Sequence, residues 1–144
     1  MQRVLYLIPS CFFIGNLKGG GTIVSVLFCL TAYFLKANDL QMFFVFSISL
    51  FLTSLSIEKS FLFKGDDSRI VADELIGMVV SLLFLPRSIL IYISALAVFR
   101  FFDISKPYLI KQSESIGGST GIIMDDVLSG VASNIVIRIF LWMI

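Results

Sequence analysis

Five carboxylates are the residues of this sequence whose types and spacing suggest chemistry. Asp73 and Glu74 are adjacent, Asp125 and Asp126 are adjacent, and Asp103 lies between the two pairs. Five such groups on one face of a protein would repel one another unless cations or protons joined them. Carboxylate oxygens without histidine or cysteine beside them suit Mg²⁺ or Mn²⁺ rather than zinc. The pattern therefore predicts a metal site built from these five side chains.

Three basic residues accompany the carboxylates. Arg100, Lys106 and Lys111 lie near one another in the sequence, and such side chains bind phosphate oxygens through charge-assisted hydrogen bonds. A metal ion beside these cations suits phosphate chemistry, in which catalysis is mostly positioning and charge neutralisation. We therefore expect a phosphate site here. The alternative is that the acidic and basic groups pair with one another and only lock helices together.

Composition and motifs exclude several kinds of site. The chain has no histidine, which excludes Ser-His-Asp triads, phosphatases with a histidine nucleophile and zinc sites with histidine ligands. The Cys-x₅-Arg motif is absent, because leucine occupies the arginine position after both Cys11 and Cys29. The segment 15–22 has the spacing of a nucleotide-binding P-loop, but Gly21 stands where lysine is required. The net charge of +1 argues against a nucleic-acid partner.

The remainder of the chain has the composition of a membrane protein. Of its 144 residues, 58% are hydrophobic and 15% are charged, against about 45–50% and about 25% in soluble domains. The length fits a single domain over residues 1–144. We predict an all-α fold, a small polytopic helical bundle that lies in the lipid bilayer.

Charge-free runs locate the helices that must position the acidic groups. Leu40–Ile57 is the only clean run that approaches the ~20 residues needed to span a bilayer. The first segment is too short to span comfortably, and we expect it to lie at the interface or to re-enter. The six predicted helical segments are 4–16, 22–35, 40–57, 68–85, 87–101 and 122–143.

Alternation of these segments across the membrane assigns a side to the carboxylates. One side holds five lysines and the other holds three basic residues, and the more basic side is expected to be cytoplasmic. The acidic pairs, Asp103 and the Gly21-Thr22 start of the second segment all fall on the more basic side. The more basic side holds Lys18, Lys59, Lys64, Lys106 and Lys111, and the other side holds Arg3, Lys36 and Arg87.

Three segments of the charged half resemble the phosphatidylglycerophosphatase A family. They read VADELIGM at residues 71–78, FRFFDISKP at 99–107 and GIIMDDVLSGV at 121–131. The family has Asp-Glu-x-x-Gly, Phe-Arg-x-x-Asp-x-x-Lys-Pro and Gly-Ile-Met-x-Asp-Asp-x-x-Ala/Ser-Gly segments in the same order. The resemblance covers about residues 60–140 closely and the N-terminal part loosely.

The resemblance implies a lipid phosphatase. Members of this family are small helical proteins of bacterial inner membranes that convert phosphatidylglycerophosphate to phosphatidylglycerol with Mg²⁺, and their substrate is made at the cytoplasmic leaflet. The resemblance implies a multi-pass protein whose active site faces the cytoplasm. The family's Pro-Gly-Thr-x-Gly-Ser/Thr turn reads Lys18-Gly-Gly-Gly21-Thr22 here, so only its final pair is kept.

The roles expected of the site residues follow from this reading. All five carboxylates, Asp73, Glu74, Asp103, Asp125 and Asp126, would act in catalysis and bind one or two Mg²⁺ ions. Arg100, Lys106 and Thr22 would bind the phosphate. One carboxylate would serve as a base, or an aspartate as a covalent nucleophile. Two other functions stay open: a subunit of an ion-conducting protein, and a catalytically inactive relative.

Overall fold

A computed structural model describes residues 6–59, 67, 69–113 and 118–143. Within these ranges all regular structure is helical, which confirms the all-α prediction. The 3₁₀ helix Ile14–Asn16 precedes six α-helices: α1 (Gly20–Phe34), α2 (Asp39–Lys59), α3 (Ala72–Leu82), α4 (Ile89–Ser105), α5 (Tyr108–Ser113) and α6 (Gly118–Met143). Arg3 and Lys64, used above to assign sides, lie outside the described residues, as do residues 4–5 and 68 of the predicted segments.

The helices alternate in direction, as the sequence predicts. Ser119 at the start of α6 donates a hydrogen bond of 2.9 Å to Oε1 of Glu58 at the end of α2. At the other end of the bundle, the backbone N–H of Phe84, just after α3, donates a 2.9 Å hydrogen bond to Oδ1 of Asp39 at the start of α2. Residues at the starts of α1 and α3 and at the end of α4 also line one cavity together with residues of α6. The starts of α1, α3 and α6 and the ends of α2 and α4 therefore share one end, called the site end below.

Helix α3 is the centre of the bundle. It packs against α1, α2, α4 and α6, and side chains are buried around its whole circumference, including Ile76, Met78, Val79 and Leu82. Its 11 residues extend about 17 Å, which is too short to cross a hydrocarbon layer of about 30 Å. A helix that is apolar all round is stable only when other helices surround it.

Helices α2 and α6 have the length and composition of membrane spans. The segments Asp39–Lys59 and Ser119–Met143 are each long and apolar enough to cross a bilayer, and 17% and 28% of their most apolar windows are buried within the protein. Large apolar side chains such as Phe51 on α2 and Phe140 on α6 point outward, exposed by 63% and 60%. An exterior of this kind is matched to lipid rather than to water.

The end of α3 is held by two polar side chains of α6. Asn134 Nδ2 donates hydrogen bonds of 3.0 Å and 2.8 Å to the carbonyls of Ser81 and Leu83. Arg138 Nη2 donates to the carbonyls of Leu83 and Phe84 at 3.2 Å and 3.1 Å. The last carbonyls of a helix lack partners within it. Asn134 and Arg138 supply such partners to the end of α3.

The prediction of a helix over residues 4–16 is wrong for most of the part of this segment that the structure describes. Only Tyr6 and Leu7 are helical, and turns follow up to the 3₁₀ helix. Cys11, Phe12 and Phe13 have positive φ angles of 44°, 56° and 69°, which ends any right-handed helix. The carbonyl of Pro9 instead accepts the backbone N–H groups of Val71 and Ala72 at 2.8 Å and 3.0 Å. This segment thus caps the start of α3.

The other predicted segments agree with observed helices to within a few residues. The fourth segment, 68–85, is longer than α3, because residues 69–71 and 83–85 form turns and extended chain. The short helix α5 lies in a region that the sequence predicted to be a loop.

Candidate active site

A close crossing of two glycines places the acidic residues of α3 and α6. A Cβ atom added to Gly130 would lie 2.3 Å from the carbonyl oxygen of Gly77, and one added to Gly77 would lie 2.6 Å from the carbonyl oxygen of Asp126. Small residues let helix backbones approach in this way. Both helices start at the site end, and Asp73 and Asp126 each lie four residues, about one turn, before their glycine. The crossing therefore brings the two aspartates to the same level.

Three carboxylates form a compact cluster at this level. One oxygen each from Asp73, Glu74 and Asp126 lies within 4.8 Å of the other two. Asp73 and Asp126 are only 8% and 4% exposed. Within the part of the chain that the structure describes, Glu74 Oε2 and Asp126 Oδ1 are buried without a hydrogen-bond partner. Buried oxygens of this kind require a proton, a water molecule or a cation.

Burial changes the acidity of the two carboxyl groups on α3. Desolvation, followed by repulsion from Glu74 and Asp126, raises the pKa of Asp73 well above its ordinary value. Desolvation also raises the pKa of Glu74, although the hydrogen bond from Asp73 and the charge of Arg100 act in the opposite direction. A cation in the cluster would offset this penalty because it favours the ionised forms.

The cluster fits a small divalent cation. Mg²⁺ binds oxygens at about 2.0–2.1 Å in an octahedron, so its ligand oxygens lie about 3 Å apart when adjacent and about 4 Å apart when opposite. Three oxygens within 4.8 Å of one another need only small side-chain rotations to share one ion. The donors are hard carboxylates, which suit Mg²⁺ or Mn²⁺. Asp73, Glu74 and Asp126 are therefore the residues that could hold it.

The two remaining carboxylates are paired with the predicted phosphate-binding cations. Asp103 forms a salt bridge with Arg100 within α4, and Asp125 Oδ2 accepts a 2.8 Å hydrogen bond from Lys106 Nζ. Arg100 Nη1 also lies 3.9 Å from Glu74 Oε1. The five predicted ligands are thus divided into a cluster of three and two ion pairs at its edge. Charge pairing therefore accounts for these two pairs and reaches Glu74 through Arg100, whereas the structure shows no salt bridge for Asp73 or Asp126 among the residues that it describes.

An open cavity of about 660 Å³ joins these groups. It exposes all five carboxylates, Arg100 and Lys106 together, with the segment 15–21 and the residues 67, 69 and 70 forming its other wall. Thr22 is exposed and does not line the cavity, although its neighbour Gly21 does. The role of Thr22 in phosphate binding stays a prediction. The side chain of Lys111 lies outside the described residues.

Two features of the cavity wall were not predicted from the sequence. Arg69 is bound to Asp67, with a 2.8 Å hydrogen bond from Nε to Oδ1, and its guanidinium lies 5.8 Å from the centre of the Tyr6 ring. Gly21 lies against Glu74.

Burial, with a smaller effect of the Glu74 charge, raises the pKa of the Cys11 thiol to about 11. Cys11 therefore stays protonated and is not a nucleophile at neutral pH.

The sequence matches a family model over almost its whole length. The model describes phosphatidylglycerophosphatase A and matches residues 7–141. The chain belongs to the phosphatidylglycerophosphatase A family. This membership confirms the resemblance drawn from the three motifs, and the family carries the name of a phosphatase. It also supports a membrane protein, together with the two apolar helices.

Three curated relatives are consistent with the family. A Bacteroides thetaiotaomicron protein with the provisional name phosphatidylinositol-3-phosphatase is 44% identical over 82 residues, or 55% of this chain and 52% of the relative. Phosphatidylglycerophosphatase A of Haemophilus influenzae is 33% identical over 130 residues, which are 86% of this chain and 76% of the relative. Phosphatidylglycerophosphatase A of Escherichia coli is 37% identical over 70 residues, which are 47% of this chain and 41% of the relative. The match thus spans about half of the first relative. No solved structure matches the chain significantly.

Proposed function

We propose that this chain is a Mg²⁺-dependent lipid phosphatase that hydrolyses phosphatidylglycerophosphate to phosphatidylglycerol and phosphate. The observation that carries the proposal is the cluster of Asp73, Glu74 and Asp126, whose oxygens lie within 4.8 Å of one another beside Arg100 and Lys106. The names of the Haemophilus influenzae and Escherichia coli relatives supply the substrate.

The protein residues have separate tasks in this proposal. Asp73, Glu74 and Asp126 would hold the metal ion, which would supply positive charge to the phosphate and help to activate water. Arg100 and Lys106 bind the equatorial oxygens of the terminal phosphate. Asp103 and Asp125 orient these two cations through the salt bridges described above. Positioning and charge neutralisation account for most of the catalysis of phosphoryl transfer.

The proposed setting is the cytoplasmic face of a bacterial inner membrane. The cavity opens at the site end, where Lys18, Lys59 and Lys106 also lie, and the positive-inside rule places this end in the cytoplasm. The apolar faces of α2 and α6 would contact acyl chains. In this arrangement the diacylglycerol part of the substrate stays in the bilayer while its head group enters the cavity.

A second substrate is suggested by one comparison. The Bacteroides thetaiotaomicron relative carries the name of an inositol-lipid phosphatase. A monoester phosphate on a different lipid head group would need the same metal and the same two cations, so the cluster alone does not select between the two head groups.

The test is phosphate release by the purified protein in detergent micelles. Phosphatidylglycerophosphate and phosphatidylinositol 3-phosphate are compared, each with Mg²⁺ and with EDTA, and Asp126→Asn is the inactive control. We expect Mg²⁺-dependent release from phosphatidylglycerophosphate that the variant lacks. Faster release from the inositol lipid would replace the proposed substrate. A folded protein that binds Mn²⁺ but releases phosphate from neither lipid would overturn the phosphatase proposal.

A further inference from the structure

Gly21, in the first turn of α1, lies directly against a predicted metal ligand. A Cβ atom added to Gly21 would lie 1.8 Å from Oε1 and 2.5 Å from Cδ of Glu74. These separations are far shorter than a van der Waals contact. Gly21 does not have a positive φ angle, whereas Gly19, two residues earlier, has a φ of 77°. Gly21 is therefore required for the space that it leaves and not for its backbone conformation.

The contact of Gly21 differs in kind from those of the other closely packed glycines. Added Cβ atoms at Gly15 and Gly20 would meet the backbone carbonyl oxygens of Arg69 and Ile14, at 2.1 Å and 2.5 Å. Those glycines maintain backbone packing. At Gly21 the nearest atoms belong to the far end of a flexible side chain, which can rotate away. A methyl group there would displace the Glu74 carboxylate and leave the helices in place.

Glu74 has little freedom to move without leaving the cluster. Its carboxylate lies between the start of α1 and the site groups, since Oε1 faces Gly21 and is 3.9 Å from Arg100 Nη1. The cluster oxygens of Asp73, Glu74 and Asp126 lie within 4.8 Å of one another, and they must come within about 4 Å to share one octahedral ion. A displacement of the size that a methyl group imposes would break this arrangement.

We propose that Gly21 is a positioning residue, which sets the place of the Glu74 carboxylate in the metal cluster by leaving the space that the carboxylate occupies. This inference rests on the proposed metal-dependent function, and it adds α1 to the elements that build the site. The position of Gly21 in the lining of the cavity agrees with this role.

The test compares alanine substitutions at two neighbouring glycines in the full-length protein. Mn²⁺ affinity is measured in detergent by electron paramagnetic resonance, and the unfolding temperature is measured in EDTA. Gly21→Ala is expected to weaken Mn²⁺ binding about 10-fold or more, as other changes to groups that orient metal ligands do, with little change in unfolding temperature. An added Cβ at Gly19 meets no atom within 4 Å, but its φ is +77°. Gly19→Ala is therefore expected to lower the unfolding temperature and keep the Mn²⁺ affinity.

A double-variant cycle shows whether the effect passes through Glu74. Glu74→Asp shortens the side chain by one methylene group and withdraws the carboxylate from Gly21. In the Glu74→Asp background, Gly21→Ala is expected to change Mn²⁺ affinity by less than about 2-fold, because interacting residues are not additive. An equal loss of Mn²⁺ affinity in both backgrounds would overturn the inference, and so would a Gly21→Ala protein with the Mn²⁺ affinity of the parent. Neither result would contradict the proposed phosphatase function, which is tested by phosphate release from the parent protein. A parent protein that binds no Mn²⁺ would overturn both proposals.

Discussion

Lys106 donates a 2.8 Å hydrogen bond from its ammonium group to Oδ2 of Asp125. The adjacent Asp126 lies instead in the three-carboxylate cluster with Asp73 and Glu74. Successive residues of a helix are separated by about 100° around its axis, so the two aspartates of one Asp-Asp pair point to different partners. The salt bridge joins Lys106, which directly follows α4, to a residue about two turns into α6, and it orients a cation beside the cluster.

The two aspartates of this pair are predicted to respond differently to substitution. Asp126→Asn removes a proposed metal ligand. Changes to groups that only orient metal ligands lower metal affinity by about 10–100-fold, and we expect Mn²⁺ affinity to fall by at least as much here. Asp125→Asn breaks the salt bridge with Lys106, so it should raise the KM for the lipid with only a few-fold change in Mn²⁺ affinity. Mn²⁺ titration and steady-state phosphate release on both variants make the comparison. Equal losses of Mn²⁺ affinity would show that both aspartates are ligands.

Substitution of Gly130 is predicted to destabilise the fold. A Cβ at this position would lie 2.3 Å from the carbonyl oxygen of Gly77, and backbone atoms cannot rotate away. Overpacking of this kind costs about 1–3 kcal/mol. We expect Gly130→Ala to lower the unfolding temperature in detergent, measured by circular dichroism, by several degrees. Val131→Ala, at the next residue, which is exposed, is the matched control and should have little effect. A Gly130→Ala protein as stable as this control would show that the helices do not cross so closely.

The stability of the metal-free protein is predicted to fall as the pH rises above about 4. The pKa values of Asp73 and Glu74 are raised in the folded state, first of all by burial. The folded protein therefore holds more protons than the unfolded chain between the unfolded and folded pKa values, and stability decreases with pH across that interval. Unfolding temperatures in EDTA should be higher at pH 5 than at pH 7.5.

Mg²⁺ should reverse this dependence, because the metal binds the ionised carboxylates and its affinity rises with pH. Asp73→Asn removes one of these titrating groups and should flatten the profile measured in EDTA. A metal-free protein whose stability rises steadily from pH 5 to pH 7.5 would contradict the burial of these carboxyl groups.

Asn134 is predicted to stabilise the bundle without contributing to the site. Its amide donates to the carbonyls of Ser81 and Leu83 at the end of α3 that is remote from the carboxylates. Asn134→Ala removes the side-chain donor to the Ser81 carbonyl, while the Leu83 carbonyl keeps its bond from Arg138. A buried carbonyl left without a partner costs about 1–3 kcal/mol, so the variant should lower the unfolding temperature. Mn²⁺ affinity should stay within about 2-fold of the parent protein. The control is Ile135→Ala, at the neighbouring exposed position. A loss of Mn²⁺ affinity in Asn134→Ala but not in this control would contradict the prediction and link this end of α3 to the site.

The helices were largely predictable from the sequence. The apolar run Leu40–Ile57 became α2, Asp39–Lys59, because the hydrogen bonds of a helix form between residues close in the chain. The segment 4–16 could not be predicted in this way. Its apolar residues resemble a helix, but its carbonyl at Pro9 is used by the start of α3, more than 60 residues away. A long-range contact of this kind leaves no local pattern.

By itself, the sequence determined the class of fold, the family and the group of acidic and basic residues from which the site is built. Residue types and short spacings carry that information, because metal-binding and phosphate-binding chemistry restricts which side chains can appear. Tertiary structure alone decided how the group is divided: Asp73, Glu74 and Asp126 face one another, while Asp103 and Asp125 pair with cations. It also decided that Gly21 rather than Thr22 borders the cavity. These relationships depend on distances between α1, α3, α4 and α6, which the close crossing of Gly77 and Gly130 and the packing around α3 establish only in the folded protein.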